Sequence, residues 1–233
     1  DRMAVRTFIS PFDALVIRPD IDIVVELIGG ATRAKDLTLA AIGAGKHVVT
    51  ANKAVLSAHG VELAAAAEKA GVALGFEASV GGGIPVIRAL TEGLAANTIL
   101  SLYGIINGTS NYILSRMTCE GQSFQDVLAE AQAAGYAEAD PAFDVAGVDS
   151  AHKLAILAAL AYGTPVNVKE VYTEGITHIT PLDIAYAKEF GCTIKLLGIA
   201  KLVGDEVEAR VHPTMLPSSS PIAQVEGVYN AIQ

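Results

Sequence analysis

The chain has 233 residues, 52% of them hydrophobic and 18% charged, with a formal net charge of −9. So much apolar content and so few charges exclude a disordered chain, and the acidic balance without a Lys/Arg run argues against nucleic acid or an anionic membrane as the main partner. Small molecules are the expected ligands. Cys119 and Cys192 are the only cysteines, and neither sits in metal-ligand spacing or a disulfide framework, which fits a reducing cytoplasm. No apolar run approaches the roughly 20 residues a spanning helix needs. Asp1-Arg2-Met3 is no signal peptide, and a chain opening directly into structured sequence reads as a piece of a longer one.

The first eighty residues alternate apolar runs with Ala-rich amphipathic stretches, the pattern of consecutive β-α-β units in a parallel sheet. Residues 21–28 read as a buried strand stopped by Gly29-Gly30, and Thr32 to Ala44 as the helix after it. His47 to Thr50 is the next strand, residues 54–70 an Ala-rich helix with Gly71 past its end, and Val72 to Glu77 a third strand. The text then changes. A glycine cluster at Gly81-Gly82-Gly83 precedes a helix over 84–94 and a strand over 99–106. Phe124, Val127, Leu128 and Ala131 recur at helical spacing, which predicts a helix over 123–134 ended by Gly135. Thr180 and Pro181 start a helix that ends before Gly191, and residues 193–202 and 207–213 read as paired strands. Pro217 to Pro221 is a short turn-rich stretch. The expected class is α/β: a partial Rossmann-like parallel sheet over 1–80, then an α+β domain with a mixed sheet over 81–233.

The densest chemistry lies between Gly135 and Lys153, which hold Glu138, Asp140, Asp144 and Asp149 before an all-apolar stretch, Leu154 to Ala161. Such a stretch is normally a buried helix, so these charges stand at the mouth of a core helix. If that helix begins near Asp149, the side chains of Asp149 and Lys153 share one face and can act on one substrate atom. Spacing alone favours a blander arrangement, with Asp149 as a cap and Lys153 as its solvated partner.

Ala131 to Gly135, Asp140-Pro141, Asp144 to Asp149 and Lys153 together resemble the signature of homoserine dehydrogenases. The flanking stretches Glu26 to Gly30, Thr50 to Lys53, Glu77 to Gly81 and Gly104 to Leu114 resemble the same family in the same order. The resemblance implies interconversion of L-homoserine and L-aspartate 4-semialdehyde with NAD or NADP, on the route to threonine, methionine and isoleucine. It implies Lys153 as general acid/base and Asp149 as the residue that holds the same oxygen or orients the lysine. Glu138 would receive the substrate's α-ammonium, with Asp144 in support and a hydrogen bond from Thr109. Gly29, Gly30, Thr50, Lys53 and Gly135 are implied cofactor contacts. For the glycines a tight turn is the plain alternative, and for Lys53 an ordinary helix start. Glu77, Val80, Gly82 and Ile84 resemble a segment that binds a monovalent cation such as sodium through main-chain carbonyls, although glycines there also suit a hinge between domains. A homodimer or homotetramer is implied as well.

No Gly-x-Gly-x-x-Gly, the motif that admits a pyrophosphate to a helix N-terminus, appears before Ile21, and the family's C-terminal return to the nucleotide domain is not found before Gln233. The expectation is a chain with its substrate half intact and its cofactor half cut. Arg2 is a faint pointer to NADP. The alternatives are an inactive dimerisation module and a related semialdehyde oxidoreductase, although the latter's chemistry needs a nucleophilic cysteine in a more persuasive setting than Cys119 or Cys192.

Overall fold

The computed structural model describes Val16 and residues 18–233, so Arg2 lies outside the described residues. The chain divides into two compact units, one ending at Glu77 and the other running from Ala78 to Gln233.

The first unit holds three parallel strands in the order β1 (Ile23–Glu26), β2 (His47–Thr50) and β3 (Leu74–Gly75). Helix α1 (Thr32–Gly43) joins β1 to β2, and α2 (Lys53–Ala70) joins β2 to β3, the connection parallel strands require. Val24, Ala41, Ile42, Val48 and Ala67 form the core between sheet and helices. Asn52 caps α2 by accepting from the Val55 amide at 3.2 Å, and Gly71 ends it in the left-handed conformation at φ 68°. Two expectations are corrected. Residues 21–28 carry six apolar side chains around Asp22 and Glu26 and read as a buried strand, one covered on both faces. Among the described residues only one face is covered, and Val25 and Val49 on the other are 60% and 42% exposed. The third strand shrinks to Leu74–Gly75, because the backbone turns into a 3₁₀ turn at Glu77–Ser79.

The second unit opens with a glycine-rich turn. The expected helix over 84–94 is one α-turn, Val86–Arg88, that widens into a π-turn at Ala89–Gly93. The unit is built on a five-stranded sheet in the order β5 (Tyr172–Thr173), β7 (Glu206–Pro217), β6 (Cys192–Val203), β4 (Ser101–Ile105) and β8 (Ala231–Ile232). Every pair is antiparallel except β5 with β7. The β6–β7 hairpin turns on Gly204-Asp205, with left-handed Gly204 (φ 63°) at the first loop position, as a tight hairpin needs. β7 runs through Pro213, beyond the last pair with short β5, so among the described residues the proline has no strand neighbour on that side that would need a donor.

Four main helices complete the unit: α3 (Gly108–Glu120), α4 (Phe124–Ala133), α6 (Val148–Tyr162) and α7 (Pro181–Glu189), with α5 (Ala142–Val145) a single turn before α6. α4 buries Phe124, Val127 and Ala131 as its periodicity predicts, and α7 opens with a capping box between Thr180 and Asp183. Leu154, Ala155, Ile156, Leu157 and Ala158 of α6 are all buried, in agreement with an apolar core helix. α3 was not predicted. Its first turn, Gly108-Thr109-Ser110-Asn111, is poor in helix formers and buries polar side chains. Its legible signals are the Asn107 cap and left-handed Gly121 at the far end.

Asn111 and Lys195 tie the C-terminal segment to this frame. The Asn111 amide donates to the carbonyls of Val225, Gly227 and Tyr229 at 3.1, 2.9 and 3.3 Å. Lys195, 1% exposed, donates to Val225 O at 2.6 Å, Asn111 Oδ1 at 3.2 Å and Ser115 Oγ at 3.4 Å. Burial pushes this ammonium below the usual lysine range, with Glu226 and Cys119 opposing the shift. The unfolded chain therefore holds that proton more tightly than the folded one. Between the lowered value and the ordinary 10.5, stability gains from this group as pH rises. The urea midpoint of the unmutated chain should accordingly climb relative to that of Lys195→Met as pH is raised towards that ordinary value. Parallel pH profiles for the two proteins would contradict this.

Candidate functional site

The acid and base side chains of the second unit meet where β4 ends and two helices begin. β4 runs into Ile106 and Asn107, which lead directly to α3; α6 starts from Gly147, whose φ of 81° only glycine adopts readily. A Cβ on Gly147 would press at 3.2 Å on both Thr173 Cγ2 and Val211 Cγ1, so the turn before α6 packs tightly on β5 and β7. Asp149 therefore enters in the first turn of α6, where the helix dipole favours a carboxylate.

Lys153 Nζ lies 2.7 Å from Asp149 Oδ2 and donates to the Ile106 carbonyl at 2.8 Å. Asp149 is 1% exposed, while the Lys153 side chain keeps 17% exposure. This is a half-buried, directed pair and not the solvated surface bridge that spacing alone favoured. An ammonium has three donors, and two are spent on Asp149 and Ile106. The third has no partner among the described residues and is available to a ligand oxygen.

Asp144 joins this group through Asn107. The Asn107 amide nitrogen donates to Asp144 Oδ1 and to Asp149 Oδ2, each at 2.8 Å, and its oxygen accepts from the Ser110 amide at 2.8 Å. Ser110 Oγ donates to the Asp144 carbonyl at 3.1 Å, fixing the backbone as well. Thr109 and Glu138 belong to a strap beside the group. Thr109 Oγ1 donates to the Tyr136 carbonyl at 2.9 Å, and Gln132 Nε2 to the Glu138 carbonyl at 3.0 Å. The Tyr112 and Tyr136 rings, 4.9 Å apart, pack across the strap. Thr109 thus spends its proton on the strap and keeps lone pairs for a ligand. Glu138 is exposed, and its carboxylate is not hydrogen-bonded into the Asp144–Asp149–Lys153 group. Gly135, at φ 76°, makes the turn from α4 into the strap.

The first unit presents a separate polar cluster at the C-terminal ends of β1 and β2. Glu26, 5% exposed, accepts from Thr50 Oγ1 at 2.7 Å, the Ile28 amide at 2.9 Å and Asn52 Nδ2 at 3.4 Å. Asn52 Nδ2 also donates to the Gly30 carbonyl at 2.8 Å, and the Asn52 amide donates to Thr50 Oγ1 at 2.9 Å. The loop after β1 is thereby tied to Glu26 and Asn52, with Gly29 and Gly30 exposed. Gly29 and Gly30 take φ values of 75° and 70°, and a Cβ on either would meet no atom within 4 Å. They serve the backbone's path there and leave its surface accessible. Lys53 follows as the first residue of α2.

Of the cation candidates, Glu77 closes the first unit, whereas Val80, Gly82 and Ile84 belong to the second. The Ile84 carbonyl accepts from Val86 N at 2.8 Å. Among the described residues no cluster of His, Cys, Asp and Glu has metal-binding geometry, and no helix is long and apolar enough to cross a membrane.

A family profile described as homoserine dehydrogenase matches residues 85–233, and one described as homoserine dehydrogenase, NAD binding domain, matches residues 2–77. The chain belongs to the homoserine dehydrogenase family. It is 56% identical over 224 residues to the homoserine dehydrogenase of Neisseria gonorrhoeae, a match covering 96% of this chain and 51% of that one. The crystal structure of a homoserine dehydrogenase from Thiobacillus denitrificans superposes with a TM-score of 0.93 at 55% identity, over 96% of this chain and 52% of that one. A hyperthermophilic archaeal homoserine dehydrogenase in complex with NADPH superposes with a TM-score of 0.83 at 28% identity, over 97% of this chain and 66% of that one. The chain spans about half the length of the curated relatives it matches. In this homoserine dehydrogenase family chain, the structure brings together Asp144, Asp149 and Lys153, which the sequence singles out. Asn107 joins the second unit's group, and Glu26 and Asn52 the first unit's cluster, through partners distant in sequence, and Glu26, a carboxylate inside an otherwise apolar strand, is a local signal.

Proposed function

We propose that the chain carries the substrate-binding and proton-transfer groups of an NAD(P)-dependent homoserine dehydrogenase. The observation that carries this reading is Lys153, held by Asp149 and the Ile106 carbonyl with one donor left for a ligand oxygen. In the reducing direction that donor stabilises the carbonyl oxygen of L-aspartate 4-semialdehyde as it becomes an alkoxide and then delivers the proton. In the oxidising direction the lysine nitrogen takes the proton from the homoserine hydroxyl. Asp149 holds the lysine against rotation. Glu138, exposed on the strap, receives the α-ammonium, with Asp144 behind it and Thr109 oxygen lone pairs alongside.

The exposed loop after β1 fits a nucleotide, since ligands of parallel sheets collect at the carboxyl ends of the strands. Gly29 and Gly30 would let it approach the backbone, with Thr50 and Lys53 beside it. Bound NAD(P) would supply hydride exchange at the hydroxyl-bearing carbon. The family resemblance also supports a monovalent cation at the main-chain carbonyls around Val80, Gly82 and Ile84, and a homo-oligomer built through the second unit. The free thiols of Cys119 and Cys192 fit a cytoplasmic setting.

The test is reduction of NAD+ or NADP+ by the purified chain with L-homoserine, against the matching alcohol that lacks the α-ammonium. Turnover with homoserine and a loss of about tenfold or more in kcat/KM with the analogue are expected, the scale of one hydrogen bond to a charged group. Equal rates with both alcohols would remove the assigned substrate pocket.

A further inference from the structure

Two consecutive residues, Ile106 and Asn107, between them contact Asp144, Asp149 and Lys153. The carbonyl of Ile106 takes a Lys153 proton at 2.8 Å, and the side chain of Asn107 touches both carboxylates at 2.8 Å each. Its orientation is dictated by its partners. A reversed amide would set its oxygen against two carboxylates and its NH2 group against the Ser110 amide. The amide is 5% exposed and uses both N–H donors and its oxygen, so it is a rigid planar link and not a solvated cap.

Asp144 and Asp149 are like charges drawn to one nitrogen. With no donor between them their repulsion would separate them, moving Asp149 relative to Lys153 and Asp144 relative to the strap. We propose that Asn107 is a positioning residue that couples the substrate-binding carboxylate Asp144 to the proton-transfer pair Asp149–Lys153, holding both at the spacing one substrate needs. The proposal rests on the homoserine dehydrogenase reading for its kinetic consequences, although the link between the carboxylates does not. The competing role is helix capping alone, since Asn107 also starts α3.

Asn, Asp and Ser cap helices almost equally well, which separates the two roles. Asn107→Ser keeps a cap oxygen and loses the bridge. Asn107→Asp keeps the cap and adds a negative charge facing two others. We expect Asn107→Ser to lower kcat and raise KM for homoserine, each by about tenfold, the scale of one hydrogen bond to a charged group. Asn107→Asp should lose more on both. Its urea midpoint should fall below that of Asn107→Ser, and adding Asp144→Asn should restore it. Unmutated kinetics together with equal urea midpoints for the two single variants would reduce Asn107 to a cap and overturn the proposal. If the unmutated chain does not oxidise homoserine, the functional reading falls separately. The urea series needs no substrate and still decides the link: restoration by Asp144→Asn supports it, and no restoration overturns it.

Discussion

Lys153→Ala is expected to lower kcat for homoserine oxidation by about 10²–10⁴-fold, the usual contribution of a positioned proton-transfer group, with a much smaller change in KM. The split follows from where the side chain sits. Its third donor meets the reacting oxygen, whereas the ammonium and carboxylate of the substrate would be held elsewhere. Lys153→Arg sharpens the result. Arginine keeps the positive charge beside Asp149 but is never deprotonated, so it can replace a salt bridge and cannot replace a proton carrier. Both variants should therefore be slow, and a fast Lys153→Arg enzyme would make the lysine a structural partner only. Lys153→Ala also leaves Asp149, at 1% exposure, without its counter-charge. Breaking a buried pair on one side costs about 3–5 kcal/mol, and the 17% exposure of the lysine places this case at the lower end. Urea denaturation of the variant separates lost folding from lost chemistry.

Gly175→Ala is expected to destabilise the chain by about 3–5 kcal/mol, at the severe end for a single methyl group, and to lower kcat by about 10²-fold in whatever remains folded. A Cβ at Gly175 would stand 2.2 Å from the Val145 carbonyl oxygen and 2.5 Å from Ala146 Cα. These are backbone atoms that cannot rotate aside, in the turn between Asp144 and Asp149. The adjacent Ile176 amide is bonded to that same Val145 carbonyl at 2.8 Å, so the two segments cannot separate without losing it. Both carboxylates would move with the turn. Gly60→Ala is the internal contrast. Gly60 lies inside α2 and its Cβ would meet nothing within 4 Å, so alanine there should stabilise by about 0.5–1 kcal/mol. The two urea midpoints should move in opposite directions, and a neutral Gly175→Ala would contradict the packing described for the turn.

How much was readable beforehand follows from the range of the interactions. Asp149 and Lys153 lie one helical turn apart in the same helix, and the apolar run after them marks that helix as buried, so their shared face followed from local periodicity. The capping box of α7 and the left-handed glycines ending α2 and α7 were likewise local. Asn107 reaches Asp144 and Asp149 across 37 and 42 residues, and Glu26 meets Thr50 across 24; no local pattern encodes such contacts. Gly175 has no local signal, since its close neighbour Val145 lies 30 residues earlier in the chain. The helix of residues 108–120 stayed hidden because its first turn buries serine and asparagine to grip other segments, and that tertiary use overrides its weak intrinsic propensity. The exposed face of β1 marks the opposite failure, since an apolar strand pattern states that a face is suited to burial and not what covers it.

The proposed reaction moves a hydride from the hydroxyl-bearing carbon of homoserine while Lys153 takes the proton. The measurement that meets it most directly uses L-homoserine carrying two deuteriums on that carbon, incubated with the chain and NAD+ or NADP+, with the reduced coenzyme weighed by mass spectrometry. Reduced coenzyme carrying one deuterium is expected from the unmutated chain and should be almost absent with Lys153→Ala. Reduced coenzyme without deuterium, or labelled coenzyme formed equally well by Lys153→Ala, would contradict it.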